Sequence, residues 1–454
     1  MTAQSVPITD VPAALVDKYR TRAPRYTSYP AAPHFGPIAP EAVDAALATG
    51  SGSASLYVHI PFCRTLCLYC GCHVEIQGKR EIGAVYVDGL LAELDLVMAR
   101  VTPGRTLAQL ALGGGTPTFL RPDDMARLID GIRARLPFTT DVDAAIEIDP
   151  RTVDVDYLHR LVDLGFNRYS FGVQDFDPAV LEAVHRRQGE DVVWRAVDTL
   201  RSRGTFDLNL DLMYGLPHQT PASFTRTMAV ITEMRPTRIA LFHYAHVPWM
   251  KPAQKLLERG GDHGVLPDSA TKSALFRVAE EALLLAGYLP IGMDHFALPG
   301  DELGRAWGER TLQRNFMGYT TRAGLDQYGL GVSAIGSFGG IYAQDIKERG
   351  PWAEEIEAGR LPIARGLVLS PEDLRRRRVI MNLFCNFEVR WGADEDYAAE
   401  TARLAPMAAD GLCVVHADGV DVTPLGRHFI RNVCAVFDQY LEADLAARRY
   451  SQTA

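Results

Sequence analysis

Between about residue 54 and residue 300 the sequence alternates between a short apolar or period-two segment and a longer helical pattern, six times over. The short segments are Ser55–Ile60, Gln109–Leu112, Ala145–Ile148, Arg168–Gly172, Asp207–Met213 and Arg238–Tyr244. The longer ones lie near 84–100, 122–135, 153–164, 178–203, 221–234 and 270–286. Side chains alternate across a strand and repeat every 3.6 residues around a helix, so the short segments predict strands and the long ones helices. Parallel neighbours in a sheet need a crossover of a dozen or more residues, which each helical segment supplies. Six such units predict an α/β fold, a parallel sheet with helices outside it. Periodicity does not say whether that sheet closes.

The ends of these strands carry the unusual residues. They are the cysteine-rich "YVHIPFCRTLCLYCGC" (Tyr57–Cys72), "GGGTPT" after the second strand, "EIDPR" at the third, "GVQDF" after the fourth, "DLMYGLP" at the fifth and "YAHVP" at the sixth. Strand–helix turns are rich in Gly, Pro and Asp for local reasons, so one such loop has little weight. Six with varied polar content favour a shared site, because (β/α) barrels gather their chemistry at the strands' C-terminal ends.

Residues 1–50 are Pro- and Ala-rich and read as an arm or short helices, 51–369 as the main body, and 370–454 as a separate C-terminal domain. Glu258–Pro267, "ERGGDHGVLP", reads as a surface loop. The last domain opens on "SPEDLRRRRVIMNLFCNF", with Ser370 as N-cap and Pro371 at the first helical position. "MAADGLCVVHADGVDVTPLGRHFIRNVCAVF" then predicts helix, short hairpin with Asp-Gly turns, and helix, the texture of a winged-helix module.

The chain's net charge of −9 argues against general nucleic-acid binding, which needs a basic face. It leaves room for an anionic substrate met by a local cluster of Arg and Lys. No stretch approaches 18 apolar residues, so no membrane span is expected. The N-terminus lacks a basic segment followed by a long apolar run, so it is not read as a signal peptide and the expected compartment is the cytoplasm.

Paired disulfides are rare there, and clustered cysteines more often bind metal. Cys63, Cys67 and Cys70 give C-x3-C-x2-C, and Cys72 follows one residue later. A structural zinc site needs a second knuckle, whereas Cys385, Cys413 and Cys434 stand singly and far away. Iron–sulfur clusters are held by thiolates on compact loops. Three thiolates would leave one iron of a [4Fe–4S] cube open to bind and polarise a second molecule.

C-x3-C-x2-C with the aromatic Tyr69 before its last cysteine is similar to the signature of radical S-adenosylmethionine (SAM) enzymes. "PRYTSYP", "LYVHIPFC", "CGC", "GGGTPT", "IEIDPR", "GFNRYSFGVQDF", "DLMYGLPHQT", "YAHVP", "IGMDHFA", "RNFMGYTT" and "GVSAIG" resemble, more closely, the oxygen-independent coproporphyrinogen III oxidase family, also called coproporphyrinogen III dehydrogenases, from about residue 18 to the end. The resemblance implies a partial (β/α)6 barrel of the radical SAM type with an N-terminal arm and a small, mainly helical winged-helix-like C-terminal domain. It implies one [4Fe–4S] cluster on Cys63, Cys67 and Cys70, and two molecules of SAM. Reductive cleavage of SAM yields a radical that takes a β-hydrogen from a propionate, which then loses carbon dioxide and an electron. Two propionates of coproporphyrinogen III become vinyl groups, giving protoporphyrinogen IX in anaerobic haem synthesis. An electron donor such as a flavodoxin or ferredoxin, and a monomeric enzyme without nucleic-acid or membrane partners, are implied too.

The same resemblance assigns the first SAM to Tyr57, Gly114, Gly115, Thr116, Glu147, Gln174, Arg186 and Asp211. Glycines let backbone groups approach a ligand; Arg186 can pair bidentately with a carboxylate, or be a helix-surface residue beside Arg187. A second SAM is assigned to Tyr69, Ala245, Phe316 and Ile335. Cys72 reads as a packed or site-lining thiol rather than a ligand. The substrate's propionates call for cations, and Lys18, Arg20, Arg22, Arg25 and Arg314 are the candidates, with the N-terminal arm expected to close over the site. The sequence departs from the family at Ala111-Leu112, where a His-Trp pair is common, and at His73-Val74, where Asn-Lys is common. The alternatives are a haem carrier of the same superfamily and a radical SAM haem methyltransferase. Cys70-Gly71-Cys72 and the "PRYTSYP" arm weigh against the carrier, and the near full-length resemblance against the methyltransferase.

Overall fold

The structure, a computed structural model, describes residues 11–258, 260, 264–442 and 450; most of the first half of the predicted Glu258–Pro267 loop lies outside the described residues. The chain divides into two compact units. One comprises Met1–His34, Met213–Ala323 and Ser370–Ala454, the other Phe35–Leu212 and Gly324–Leu369.

The second unit is built on the predicted alternation. Strands β1 (Ser53–Ile60), β2 (Thr106–Gly114), β3 (Phe138–Ile148), β4 (Arg168–Gln174) and β5 (Asp207–Tyr214) lie parallel and in chain order. Helices α1 (Ile82–Met98), α2 (Pro122–Arg135), α3 (Val155–Asp163), α4 (Pro178–Ala183) and α5 (Glu190–Arg203) make the crossovers. The strands carry Leu56, Val58, Leu110, Leu112, Ile146, Tyr169, Phe171 and Leu210 into the core, all buried. Strands β1 and β2 are buried almost throughout, as in a parallel sheet covered by helices, whereas β4 and β5 alternate buried and half-buried residues.

Three features differ from the sequence expectation, the first being that β3, expected over Ala145–Ile148, already starts at Phe138. The helix expected over 178–203 is two helices, because the chain turns at His185 in the left-handed region (φ 59°) and restarts at Gly189. The sheet also continues beyond β1 through β6 (Asp326–Leu330), parallel to it, and the antiparallel β7 (Ile335–Phe338), β8 (Ile341–Asp345) and β9 (Ile363–Val368). These strands run only 4–6 residues and are joined without long helices except before β9, so no β–α period marks them.

The first unit contains the strand Arg238–His243, paired antiparallel with His295–Ala297 and through it with Leu289–Ile291. Its C-terminal part opens, as predicted, on Ser370: the hydroxyl accepts from Asp373 N at 3.1 Å and the Asp373 carboxylate accepts from Ser370 N at 3.0 Å. This reciprocal cap starts the helix Pro371–Asn386. The hairpin Cys413–His416 with Gly419–Val422 is joined by a third strand, Glu388–Arg390. Tyr26 and Tyr29 of the arm are buried in this unit's core with Phe384, Leu383, Val420 and Val433. Among the described residues, no helix is long and apolar enough to cross a membrane.

One polar cluster inside the second unit sets a pH dependence. Glu93 on α1 and Asp345 on β8 are buried and hydrogen-bonded to each other; Glu93 also accepts from Gly331 N at 2.7 Å and from the Trp352 indole at 3.2 Å. Burial pushes Glu93 up to about 7 and Asp345 well above the usual carboxylate range, so the pair holds a proton that the unfolded chain releases at lower pH. Its stabilisation is full below the ordinary carboxyl value and is lost as pH rises through about 7. Asp345→Asn carries a permanent donor in place of that proton. We expect it to raise the melting temperature at pH 8 by roughly 2–4 °C or more and to leave it near wild type at pH 5. An equal shift at both pH values in calorimetry rejects proton sharing here.

Candidate active site

The chain leaves β1 at Ile60 and enters the cysteine loop. Its first residues, Phe62–Cys63, form a short parallel pairing with Glu75–Ile76. The turn after β2 grips the same segment: Gly115 N donates to Ile60 O at 2.8 Å and Thr116 N to Phe62 O at 2.9 Å. Glycine is required here by packing against protein. A Cβ on Gly114 (φ 110°) would lie 2.5 Å from the His59 ring, and one on Gly115 2.6 Å from the Pro61 carbonyl. The remainder of the loop is tied by Leu68 N to Val184 O at 3.0 Å and Cys70 N to Cys67 O at 3.1 Å.

The loop forms one wall of a cavity of about 310 Å³ within the second unit. Cys63, Cys67 and Cys70 line it, with Tyr69, Cys72, Gly114, Gly115, Thr116, Glu147, Gln174, Arg186 and Asp211. The strand ends of β2, β3, β4 and β5 thus bring together residues far apart in sequence, from Cys63 to Asp211. Tyr57 and Ile335 belong to this unit but are not on the cavity wall; Ala245 and Phe316 belong to the other unit. The four residues assigned to a second SAM are therefore not assembled within either unit.

Three thiols facing one cavity fit a multi-iron cluster. Among the described residues, no three His, Cys, Asp or Glu side chains are placed to hold a single metal ion. The thiols instead border a volume. Burial pushes the Cys63 thiol up to about 11, against a hydrogen bond with Thr116 Oγ1 at 3.4 Å, so metal must displace its proton. Cys67 has cations beside it: Arg186 Nη1 at 3.7 Å and Arg151 Nη2 at 4.0 Å.

Arg186 occupies the break between α4 and α5, which is why it is buried while neighbouring Arg187 is exposed on Glu182. Its Nη2 donates to Gly172 O and lies 3.6 Å from Asp149 Oδ1, and its Nε has no hydrogen-bond partner. Asp149 is held below the usual carboxylate range; burial pushes it up, but Arg186 and Arg151 outweigh that. Glu147 is open to the cavity yet surrounded by protein. That desolvation, with the Asp211 charge, pushes its carboxyl up to about 7, while Gly114 N donates to it at 3.2 Å. Asp211 is held by Asn209 Nδ2 at 2.7 Å and Ser170 Oγ at 3.1 Å. Gln174, with φ 72°, turns the chain out of β4.

Tyr57 stands close enough to Glu147 and Cys72 of the cavity wall to feel their charges, and His59 fixes its hydroxyl. His59 Nε2 lies 3.0 Å from the His73 carbonyl, so that nitrogen carries the hydrogen, and Nδ1 accepts from the Tyr57 hydroxyl at 3.1 Å. Burial lowers His59 to about 4, keeping the ring neutral. The two departures from the family fall nearby. His73 supplies that carbonyl and bonds Lys347 O at 2.9 Å, Val74 lines the cavity, and Ala111 pairs with Tyr57 across the sheet. Sequence reasoning missed Asp149, Arg151, Ser170 and Asn209. "DPR" lay inside a quoted motif, and Asn209 and Asp211 share a strand face by period two.

The Radical SAM superfamily model matches residues 57–231, the segment that holds this cavity. Fold and cysteine loop together define a radical SAM protein. The chain is 39% identical over 459 residues to the oxygen-independent coproporphyrinogen III oxidase of Escherichia coli, covering 99% of each chain, and 41% identical to that of Paracoccus denitrificans, covering 95% and 97%. The solved E. coli coproporphyrinogen III oxidase, described as a radical SAM enzyme, superposes with a TM-score of 0.90 at 38% identity over 96% of this chain and all of that one. The chain belongs to the oxygen-independent coproporphyrinogen III oxidase family. Its fold is the radical SAM partial barrel of that family, with a small helical C-terminal module.

Proposed function

We propose that this chain converts coproporphyrinogen III to protoporphyrinogen IX without oxygen, by oxidative decarboxylation of two propionates to vinyl groups. Each propionate loses a β-hydrogen, carbon dioxide and one electron. The observation that carries the reading is the near full-length identity to oxidases of this name, in a chain whose cysteine loop and strand ends share one cavity. Cys63, Cys67 and Cys70 would hold a [4Fe–4S] cluster and Gly114, Gly115, Thr116, Glu147, Gln174, Arg186 and Asp211 a SAM; bound together they supply one-electron, hydrogen-abstracting chemistry.

The chain's own residues position and shield. The Arg186 guanidinium, on the cavity wall, suits a carboxylate, and the raised Glu147 carboxyl suits an ammonium, which would draw off its proton. Tyr57, fixed by neutral His59, is proposed to contact the cofactor from β1; Tyr69, Ala245, Phe316 and Ile335 are proposed to hold a second SAM. A flavodoxin- or ferredoxin-like electron donor, a monomeric state, a cytoplasmic location, and the arm (1–50), barrel (51–369) and C-terminal domain (370–454) complete the proposal.

The test is anaerobic cluster reconstitution, then incubation with SAM, a reductant and coproporphyrinogen III. Carbon dioxide and protoporphyrinogen are expected. SAM cleavage without vinyl product discards the substrate, and haem binding without turnover favours a carrier.

Glu147 gives the proposed SAM site a pH signature. Its carboxyl must ionise to receive an ammonium, so affinity falls as pH drops below about 7. Binding of SAM by reconstituted protein is expected to be roughly tenfold weaker at pH 6 than at pH 8, since one unit below the pKa leaves about a tenth of the carboxyl ionised. Glu147→Gln should bind weakly at both. A variant with the wild-type slope removes Glu147 from this role.

A further inference from the structure

Among the described residues, the first unit gathers several arginines around the buried Asp294. Of the arm's cations, Lys18 is taken by Asp410, Arg20 by Asp17, and Arg22 by the Tyr450 carbonyl. Arg25 donates only to a backbone carbonyl, His243 O, at 2.9 Å, and among the described residues it has no carboxylate partner. Arg314, its side chain 6% exposed, lies over Tyr319 and Phe384, with its guanidinium carbon 4.5 and 5.1 Å from the ring centroids. Its Nε and Nη1 make no hydrogen bond, and the nearest carboxylate oxygen, on Asp294, stands 4.0 Å from Nη1. Arg431 is also buried and pins the arm by donating to Pro24 O and Ala23 O.

These groups act on one another. The Asp294 carboxyl is brought down to about 2: burial raises it, but His295, Arg314 and Arg25 outweigh burial. Burial and the charge of Arg25 both work against Arg431. Asp294 is thus one anion facing three guanidiniums. An excess of desolvated cations is costly and is relieved when an anion arrives. Aromatic faces hold Arg314 in place, so little side-chain freedom remains to be lost on binding.

We propose that Arg25 and Arg314, backed by Arg431, form a carboxylate-binding subsite in the first unit that receives a propionate of the tetrapyrrole substrate. That the carboxylate is carried by a tetrapyrrole rests on the function proposed above; that the subsite takes a carboxylate rests on the arginines. Asp294 competes for the same cations, which gives the subsite an unusual sign: removing this acid strengthens binding.

The test uses the full-length reconstituted protein, with coproporphyrin III as a stable probe and its tetramethyl ester as the uncharged control, read by fluorescence. Wild type is expected to prefer the free acid by at least tenfold. Arg25→Gln and Arg314→Gln should each weaken free-acid binding about tenfold and leave ester binding unchanged. Asp294→Asn should tighten free-acid binding severalfold. Equal affinity of wild type for acid and ester overturns the subsite, even if the buried Arg314 variant fails to fold. So does an Arg25→Gln variant of native circular dichroism that binds the acid as wild type does. SAM cleavage and vinyl formation are followed in parallel. Arginine-dependent acid binding without vinyl product leaves the subsite standing and removes the proposed reaction; vinyl product with arginine-independent binding does the reverse.

Discussion

Replacing Cys63, Cys67 or Cys70 by alanine will bring the iron content of anaerobically reconstituted protein, and its SAM cleavage, down to background, whereas Cys72→Ala will keep both. All four thiols lie on the same cavity wall, so proximity does not separate them. Spacing does: the first three complete C-x3-C-x2-C, and Cys72 is the exposed one. The loop is tied by the Phe62–Cys63 pairing, by Gly115 and Thr116 donating back to it, and by Leu68 N on Val184 O. Those bonds do not depend on a thiol, so the alanine variants should keep their fold, and lost iron reports lost ligation. The same exposure difference predicts that iodoacetamide modifies Cys72 of the metal-free protein well before Cys63, whose half-buried thiol is pushed up to about 11. Full iron content in a Cys63, Cys67 or Cys70 variant, or equal loss in Cys72→Ala, would reject the assignment.

What the sequence made legible follows from period and from chemistry. Strands β1 to β5 were readable because each holds a short apolar or period-two segment followed by a helical pattern. Strands β6 to β9 were not, since each is short, β7 and β8 follow their antiparallel neighbours through tight turns, and a single short helix before β9 sets no period. The cysteine loop, the triple glycine and Glu147 could be found as residues, but not their mutual geometry. That the glycines serve His59 and Pro61 as well as any ligand is visible only in three dimensions. Asp149 and Arg151 escaped notice because a strand-end Asp-Pro-Arg reads as a turn. Their meaning comes from Cys67 and Arg186, which lie far along the chain.

Arg186 shows the point most sharply, and its replacement should have the second large effect. A continuous helix over 178–203 would have left it on the surface beside Arg187; the turn at His185 puts it inside instead. Gly172 makes room, for a Cβ there would stand 3.0 Å from Arg186 Nη2. The guanidinium then neutralises Asp149 and lies against Cys67 on the cavity wall. Arg186→Ala should raise the KM for SAM roughly 10- to 100-fold, the loss of a charged hydrogen-bonded pair worth ~1.5–3 kcal/mol. It should also lower the melting temperature, because Asp149 keeps only Arg151 as a partner. Arg186→Lys restores the charge but not the planar fork, so it should recover stability more than KM. That split separates a ligand-binding arginine from a structural one. If lysine restores KM and melting temperature alike, or if alanine lowers stability while KM stays at the wild-type value, Arg186 serves only to pair Asp149.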